Sequence, residues 1–214
     1  MKVSEIFYSI EGEGIEIGRP EIFIRLAGCN LRCTWCDTKY ALENGKKMSI
    51  GEIIEEVRKY PCISVSITGG EPLLQKEELF ELIHQLKVLG YWIQINTNGT
   101  IFDEKIFSLV DLITMDFKCP SSGMKSHLNV LEKTLKLFKP KTQFKFIISN
   151  KDDYEYARKI VSSVLQDAPH IIFQPEWGSQ KFIRKLVELV KSDGVYARII
   201  LQQQKVIWGT RTGV

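Results

Sequence analysis

Seven short apolar runs punctuate the chain, at residues 22–26, 63–67, 92–95, 112–117, 144–148, 171–173 and 197–201. Each is rich in β-branched or aromatic residues and bounded by turn-forming ones, as strands buried in a parallel sheet are. Between them the apolar spacing lengthens to that of amphipathic helices. Ser49 and Glu52 have the spacing of a capping box ahead of Ile53, Ile54 and Val57. Leu79, Ile83 and Leu86 mark one face of a second helix, which Gly90 can stop. Shorter helices are expected over 104–110 and 127–138. Asp152 with Glu155 predicts another capping box. Ser179 is the expected cap of a helix that carries Ile183, Leu186, Val187 and Val190 and ends at Asp193-Gly194. Residues 3–10 read as an extra leading strand that runs into Glu11-Gly12-Glu13-Gly14.

The alternation amounts to about six βα units and a last strand. It predicts an α/β fold with a parallel sheet and helices outside it. Six units are too few for a closed eightfold barrel, so the expectation is a partial (open) parallel β/α barrel formed as one domain over residues 1–214. The polar and glycine-rich segments follow the strands. Cys29 follows the first, Thr68-Gly69-Gly70-Glu71-Pro72 the second and Asn96-Thr97-Asn98-Gly99 the third. Asp116-Phe117-Lys118 closes the fourth, Gln174-Pro175-Glu176 follows the sixth, and Gln202-Gln203-Gln204-Lys205 the seventh. Parallel α/β folds assemble their sites at that edge.

Composition narrows the class. The 214 residues are 44% hydrophobic, enough for a packed core. The net charge of +3 gives no footprint for direct nucleic-acid binding. No apolar run is long enough to span a membrane, and the first residues lack the apolar stretch of a signal peptide, so a cytoplasmic location is expected. Of five cysteines, Cys29, Cys33 and Cys36 fall within eight residues as C-x3-C-x2-C. A structural zinc wants four ligands, and Cys62, Cys119 and His84 are far along the chain. A cubane cluster usually takes one cysteine per iron, so three leave one iron free to bind another group. Cys62 and Cys119 read as small apolar residues.

The C-x3-C-x2-C loop resembles the signature of the radical S-adenosylmethionine superfamily, and Gly69-Gly70-Glu71-Pro72 resembles its second motif. The segments Tyr8-Ser9-Ile10-Glu11-Gly12-Glu13-Gly14, Phe23-Ile24-Arg25-Leu26-Ala27-Gly28-Cys29-Asn30-Leu31, Trp35-Cys36-Asp37-Thr38 and Asp116-Phe117-Lys118-Cys119-Pro120 resemble the 7-carboxy-7-deazaguanine synthase family, as does the tail from Leu201 to Val214. The resemblance implies a partial barrel of the radical S-adenosylmethionine type. It also implies a [4Fe-4S] cluster on Cys29, Cys33 and Cys36, with S-adenosylmethionine and Mg2+. The implied reaction is ring contraction of 6-carboxy-5,6,7,8-tetrahydropterin to 7-carboxy-7-deazaguanine with loss of ammonia, a step toward queuosine and other deazapurines. The reduced cluster would cleave S-adenosylmethionine to a 5′-deoxyadenosyl radical, which takes the hydrogen from C6 before the cofactor is re-formed. The enzyme would be a carbon–nitrogen lyase, a homodimer, and supplied with electrons by a flavodoxin or ferredoxin.

Residue roles follow by matching motifs. Trp35, Cys36, Asp37, Gly69, Gly70, Glu71, Asp116, Phe117, Lys118 and Gln174 are implied at the cofactor. Ile10, Glu11, Gly12, Glu13, Arg25, Thr68, Gln204 and the carboxylate of Val214 are implied at the substrate, and Thr38 at magnesium. Arg25 suits a substrate carboxylate, because its planar fork pairs bidentately. The family often has Gln where Glu11 stands, and His where Gln204 stands. A carboxylate accepts but does not donate, and Gln carries no charge. Two other classes compete. One is an activating enzyme that places a glycyl radical on a partner protein; the other is a zinc-binding module without catalysis. The loop at 11–14, Arg25 and the Asp37-Thr38 pair favour a small carboxylated substrate.

Overall fold

Every expected strand forms, and the seven apolar runs lie parallel in one sheet. The computed structural model describes residues 1–214, the side chain of Gln180 excepted. The parallel strands are β2 (Pro20–Leu26), β4 (Ser64–Gly69), β5 (Trp92–Thr97), β6 (Leu112–Asp116), β7 (Thr142–Ile148), β8 (His170–Pro175) and β9 (Arg198–Ile199). The leading strand β1 (Lys2–Ile10) runs antiparallel to β2, and a two-residue strand, β3 (Lys46–Lys47), pairs antiparallel with β1. The order β3-β1-β2-β4-β5-β6-β7-β8-β9 leaves the sheet open, as a partial barrel requires.

The helices are α1 (Ile50–Val57), α2 (Lys76–Val88), α3 (Glu104–Leu109), α4 (Leu128–Phe138), α5 (Lys151–Ser163), α6 (Gln180–Ser192) and α7 (Gln203–Trp208). Ile22, Ile24 and Leu26 of β2, Val65 and Ile67 of β4, Ile93 and Ile95 of β5, and Phe144, Phe146 and Ile148 of β7 belong to one core. There they join Ile53, Leu82, Ile83, Leu86 and Leu131 from the helices. Full burial of such a side chain stabilises by about 1.5–3 kcal/mol, so this outer layer carries the fold.

The capping box of α1 forms in both directions between Ser49 and Glu52. Two expected caps do not. Helix α5 begins before Asp152, and Asn150 caps it by accepting from the Asp153 N–H. Asp153 is buried and accepts instead from the N–H groups of Ser121 and Ser149. Ser179 precedes α6 but makes no side-chain cap, because its hydroxyl donates to Glu176. No helix is long and apolar enough to cross a membrane.

The two ends of the sheet receive different segments. Ile10 of β1 pairs with Pro20, where the parallel strands begin. The loop after β1 therefore starts at the end opposite the cysteines and folds inward. Ile15 N–H donates to Gln143 of β7, and the Gly12 carbonyl accepts from Gln203 N–H. The loop is thus pinned between β7 and the C-terminal segment.

Candidate active site

The inner face of the sheet is polar. Register pairs Arg25 with Thr68, Ser66 with Gln94, Asn96 with Thr114, Thr114 with Gln143, and Asp116 with Lys145. These residues alternate with the Ile, Val and Phe side chains that pack outward, the period-2 rule of strands. Gln94 and Asn96 both donate to Ser66, and Gln143 donates to Thr114 at 2.6 Å. The strands thus line a cavity of about 580 Å³. Cys29, Cys33, Cys36, Trp35, Asp37, Thr38, Thr68, Gly69, Gly70, Asp116 and Lys118 line it from the C-terminal edge and strand interiors. Ile10, Glu11, Gly12, Glu13, Arg25, Gln204 and Val214 line it as well.

Cys29, Cys33 and Cys36 are free and half-buried. Among the described residues, no three His, Cys, Asp or Glu side chains could hold one metal ion. A cubane cluster takes one thiolate per iron, so its ligands need not meet at a point. Leu31 N–H and Asn98 Nδ2 lie 3.4 and 3.8 Å from Cys29 Sγ, donors suited to a thiolate. The adjoining glycines bring the backbone close. Gly69 has φ 146°, a Cβ on it would strike Leu26, and a Cβ on Gly70 would strike the Gly28 carbonyl and the Cys29 side chain. The three thiols and this bare backbone fit an iron–sulfur cluster with S-adenosylmethionine beside it.

The rest of the cavity wall is built on charge. Glu13 pairs with Lys145 at 2.7 Å and accepts from the amides of Gln202 and Gln204 at 2.8 and 3.0 Å. Burial works against ionisation of Glu13, but Lys145 and the two amides outweigh it and bring the carboxyl down to about 2. Burial likewise opposes the charge on Lys145, but Glu13 and Asp116 hold its pKa above the usual lysine value. Lys118 stands 3.1 Å from Asp116 and 5.1 Å from the Trp35 ring. Lys205 pairs with Asp37 at 2.7 Å. Arg25 gives its Nε to Glu5 at 2.6 Å, and Glu5 also accepts from the Tyr40 hydroxyl at 2.7 Å. The Thr38 hydroxyl caps no helix and lies 3.8 Å from Cys36 Sγ.

Three expected cofactor residues do not line this cavity. Glu71 is fully buried, and its carboxylate accepts from Leu73 N–H, Thr97 hydroxyl and Asn98 N–H. Those contacts make it a brace between its own turn and the end of β5. Phe117 is buried in the core against Phe146 and Tyr156. Gln174 opens on a smaller adjoining cavity of about 90 Å³ with Glu13, Asp116 and Lys145. Sequence reasoning missed Lys145, Gln94 and Tyr40. The sign was present for the first two: each is a lone long polar side chain inside an apolar run.

Glu13 contributes stability that is present above its ordinary value of 4.5 and is lost as pH falls toward about 2. Replacing Lys145 with Met should therefore destabilise the protein by about 3–5 kcal/mol at neutral pH. Urea denaturation should show that loss shrinking below pH 5, as Glu13 takes up a proton. An equal loss at both pH values would contradict the pairing.

Residues 23–145 match the Radical SAM superfamily. The 7-carboxy-7-deazaguanine synthase of Methanospirillum hungatei is 40% identical over 207 residues, covering 97% of this chain and 85% of that protein. The synthase of Koribacter versatilis is 37% identical and covers 99% of each chain. Among solved structures, QueE from Escherichia coli superposes with a TM-score of 0.75 at 25% identity, over 94% of this chain and 93% of that one. Streptococcus suis SuiB, at 14% identity and a TM-score of 0.58, shares the fold alone. Family match, full-length relatives and a cavity with three cysteines at its mouth agree: this chain belongs to the radical S-adenosylmethionine superfamily and, within it, to the 7-carboxy-7-deazaguanine synthase family.

Proposed function

We propose that this chain converts 6-carboxy-5,6,7,8-tetrahydropterin to 7-carboxy-7-deazaguanine with release of ammonia. The observation that carries the reading is one cavity lined by three cysteines and, within the same walls, by Arg25 and an ionised Glu13. Its size suits a small molecule beside a cofactor better than a segment of a partner protein, so the reading of an activating enzyme lacks support. When bound, the [4Fe-4S] cluster and S-adenosylmethionine supply an adenosyl radical that takes hydrogen from the substrate.

The chain's own residues orient and enclose. Arg25, its Nε held by Glu5, keeps its terminal nitrogens for the substrate carboxylate. Glu13, fixed by Lys145, Gln202 and Gln204, accepts from ring N–H groups. Gln204 stands against Gly12, where a Cβ would strike it, and so closes the side of the site at which the family often has His. Thr68, Ile10 and Glu11 complete the substrate wall, and Val214 brings the chain terminus to it. Gly69 and Gly70, with Trp35, Asp37, Asp116, Lys118 and, from the side cavity, Gln174, would surround the cofactor. Phe117 and Glu71 support that wall from behind.

Magnesium would bind the Thr38 hydroxyl, the substrate carboxylate and waters, a hard-oxygen set. A flavodoxin or ferredoxin would supply the cluster's electron, and a homodimer would be the functional unit; a monomer in sedimentation would remove the latter.

In anaerobic turnover with cluster-reconstituted protein, mass spectrometry should find 7-carboxy-7-deazaguanine and ammonia. Replacing Arg25 with Ala should raise KM about 30-fold or more, the equivalent of losing about 2 kcal/mol of paired charge. An unchanged KM would remove Arg25 from the carboxylate. Thr38→Ala should blunt the response to magnesium while the cluster's absorption stays intact; an unaltered magnesium dependence would exclude the hydroxyl as a ligand.

A further inference from the structure

Glu11 is a carboxyl group with no cation of its own. It is 6% exposed. It faces Glu13 from its own loop, Glu21 from β2, Lys145 from β7 and the Gln94 amide from β5. Lys145 is engaged by Glu13 at 2.7 Å, and Arg19 by Glu21 and Glu16 at 2.6 and 2.8 Å. A buried carboxylate without a partner is strongly disfavoured and takes up a proton instead. Burial first, then the charges of Glu21 and Glu13, push Glu11 up to about 8.

The contacts agree with a proton on Glu11. Glu11 Oε2 lies 2.5 Å from the Gln94 amide. That is short for N–H···O, about 2.7–3.2 Å, and within the range for O–H···O, about 2.5–3.0 Å. The two ends of a Gln amide are interchangeable in assignment. As placed, the Gln94 oxygen finds no donor. The amide end nearest Glu11 also lies 3.2 Å from Ser66 Oγ, which already accepts from Asn96 at 3.0 Å. Turning the amide over lets Asn96 donate to Ser66, Ser66 donate to Gln94, and protonated Glu11 donate to the same oxygen, and it moves the Gln94 NH2 to the position where the oxygen had no partner. The second Glu11 oxygen accepts from Glu13 N–H at 3.0 Å and so fixes the backbone of the substrate-facing carboxylate.

We propose that Glu11 is held as a neutral carboxylic acid that donates to Gln94 and thereby positions Glu13 for the pterin ring. It is a positioning residue that acts through its O–H on Gln94 and through its other oxygen on the Glu13 backbone. The inference rests on the proposed pterin site. Ionised Glu11 would set a second negative charge beside Glu13 and Glu21 and repel the Gln94 oxygen, loosening the loop. Neutral carboxyl groups that donate inside dry sites have precedent in enzyme chemistry.

Two measurements on the cluster-reconstituted protein test it together. Infrared difference spectra between the parent and Glu11→Gln should show a carboxylic-acid band at pH 7 that belongs to Glu11 and fades with a midpoint at about 8. Over the same range the parent's KM for the pterin should rise about tenfold from pH 7 to pH 9, with kcat little changed, while Glu11→Gln shows no such climb. Glu11→Ala, lacking any donor, should have a raised KM at both pH values; if it does not fold, the parent and Glu11→Gln still decide the matter. Absence of the band at pH 7 overturns the neutral acid. A titrating band with a flat KM profile overturns the positioning role. Failure of the parent to turn the pterin over would sink the reading of the site, and the positioning of Glu13 with it, while the band would still report the state of Glu11.

Discussion

The ion pair between Glu13 and Lys145 is the constraint around which the interior is arranged. Both groups are mostly withdrawn from water, with side chains 21% and 10% exposed. Such pairs rarely stabilise a fold better than packed apolar residues would. Its effect is on shape. It ties the loop after β1 to the middle of β7, and Glu13 in turn gathers Gln202 and Gln204 from the C-terminal segment. An open sheet is thereby given an inner wall on its unpaired side. Glu11, Gly12, Gln204 and Val214 come to face Arg25 and Thr68 because that loop and that segment are held there.

The opposite end depends on backbone proximity. Gly70 N–H donates to the Leu26 carbonyl and Glu71 N–H to the Gly28 carbonyl, at 3.0 and 2.8 Å. The turn after β4 is thus joined to the approach to Cys29. Glu71 extends the joint to Thr97 and Asn98, and Asn98 reaches Asn30 and the Cys29 sulfur. The cysteine loop rests on this joint. One part of the cavity is therefore set by hydrogen-bonded glycine turns and the other by charge.

The architecture was legible because apolar runs and helix periods are local: all seven parallel strands fell where the runs lay. The cysteine motif was equally plain, since its spacing carries the chemistry. Four features were not. The inner polar face was hidden because a hydrophobic run such as 144–148 draws attention away from Lys145 within it. The bracing contacts of Glu71 were hidden because a motif gives the residue and not the donors around it. The entry of residues 11–14 from the far end of the sheet follows from antiparallel pairing of β1 with β2, a long-range choice that no local pattern records. Asn150 capped α5 in place of Asp152 because the cap lies one residue before the helix, not inside its first turn.

The central claim is that the cysteine mouth and the Arg25–Glu13 floor serve one reaction, with the substrate's C6 placed at the cofactor. Following a deuterium atom tests it most directly. Anaerobic turnover of 6-carboxy-5,6,7,8-tetrahydropterin deuterated at C6 should move deuterium to the 5′ carbon of the adenosyl group, read in recovered S-adenosylmethionine or 5′-deoxyadenosine by mass spectrometry. Product formed with no label in the adenosyl group would contradict the account, since the hydrogen would then have left by another route and the two ends of the cavity would not act on the same molecule.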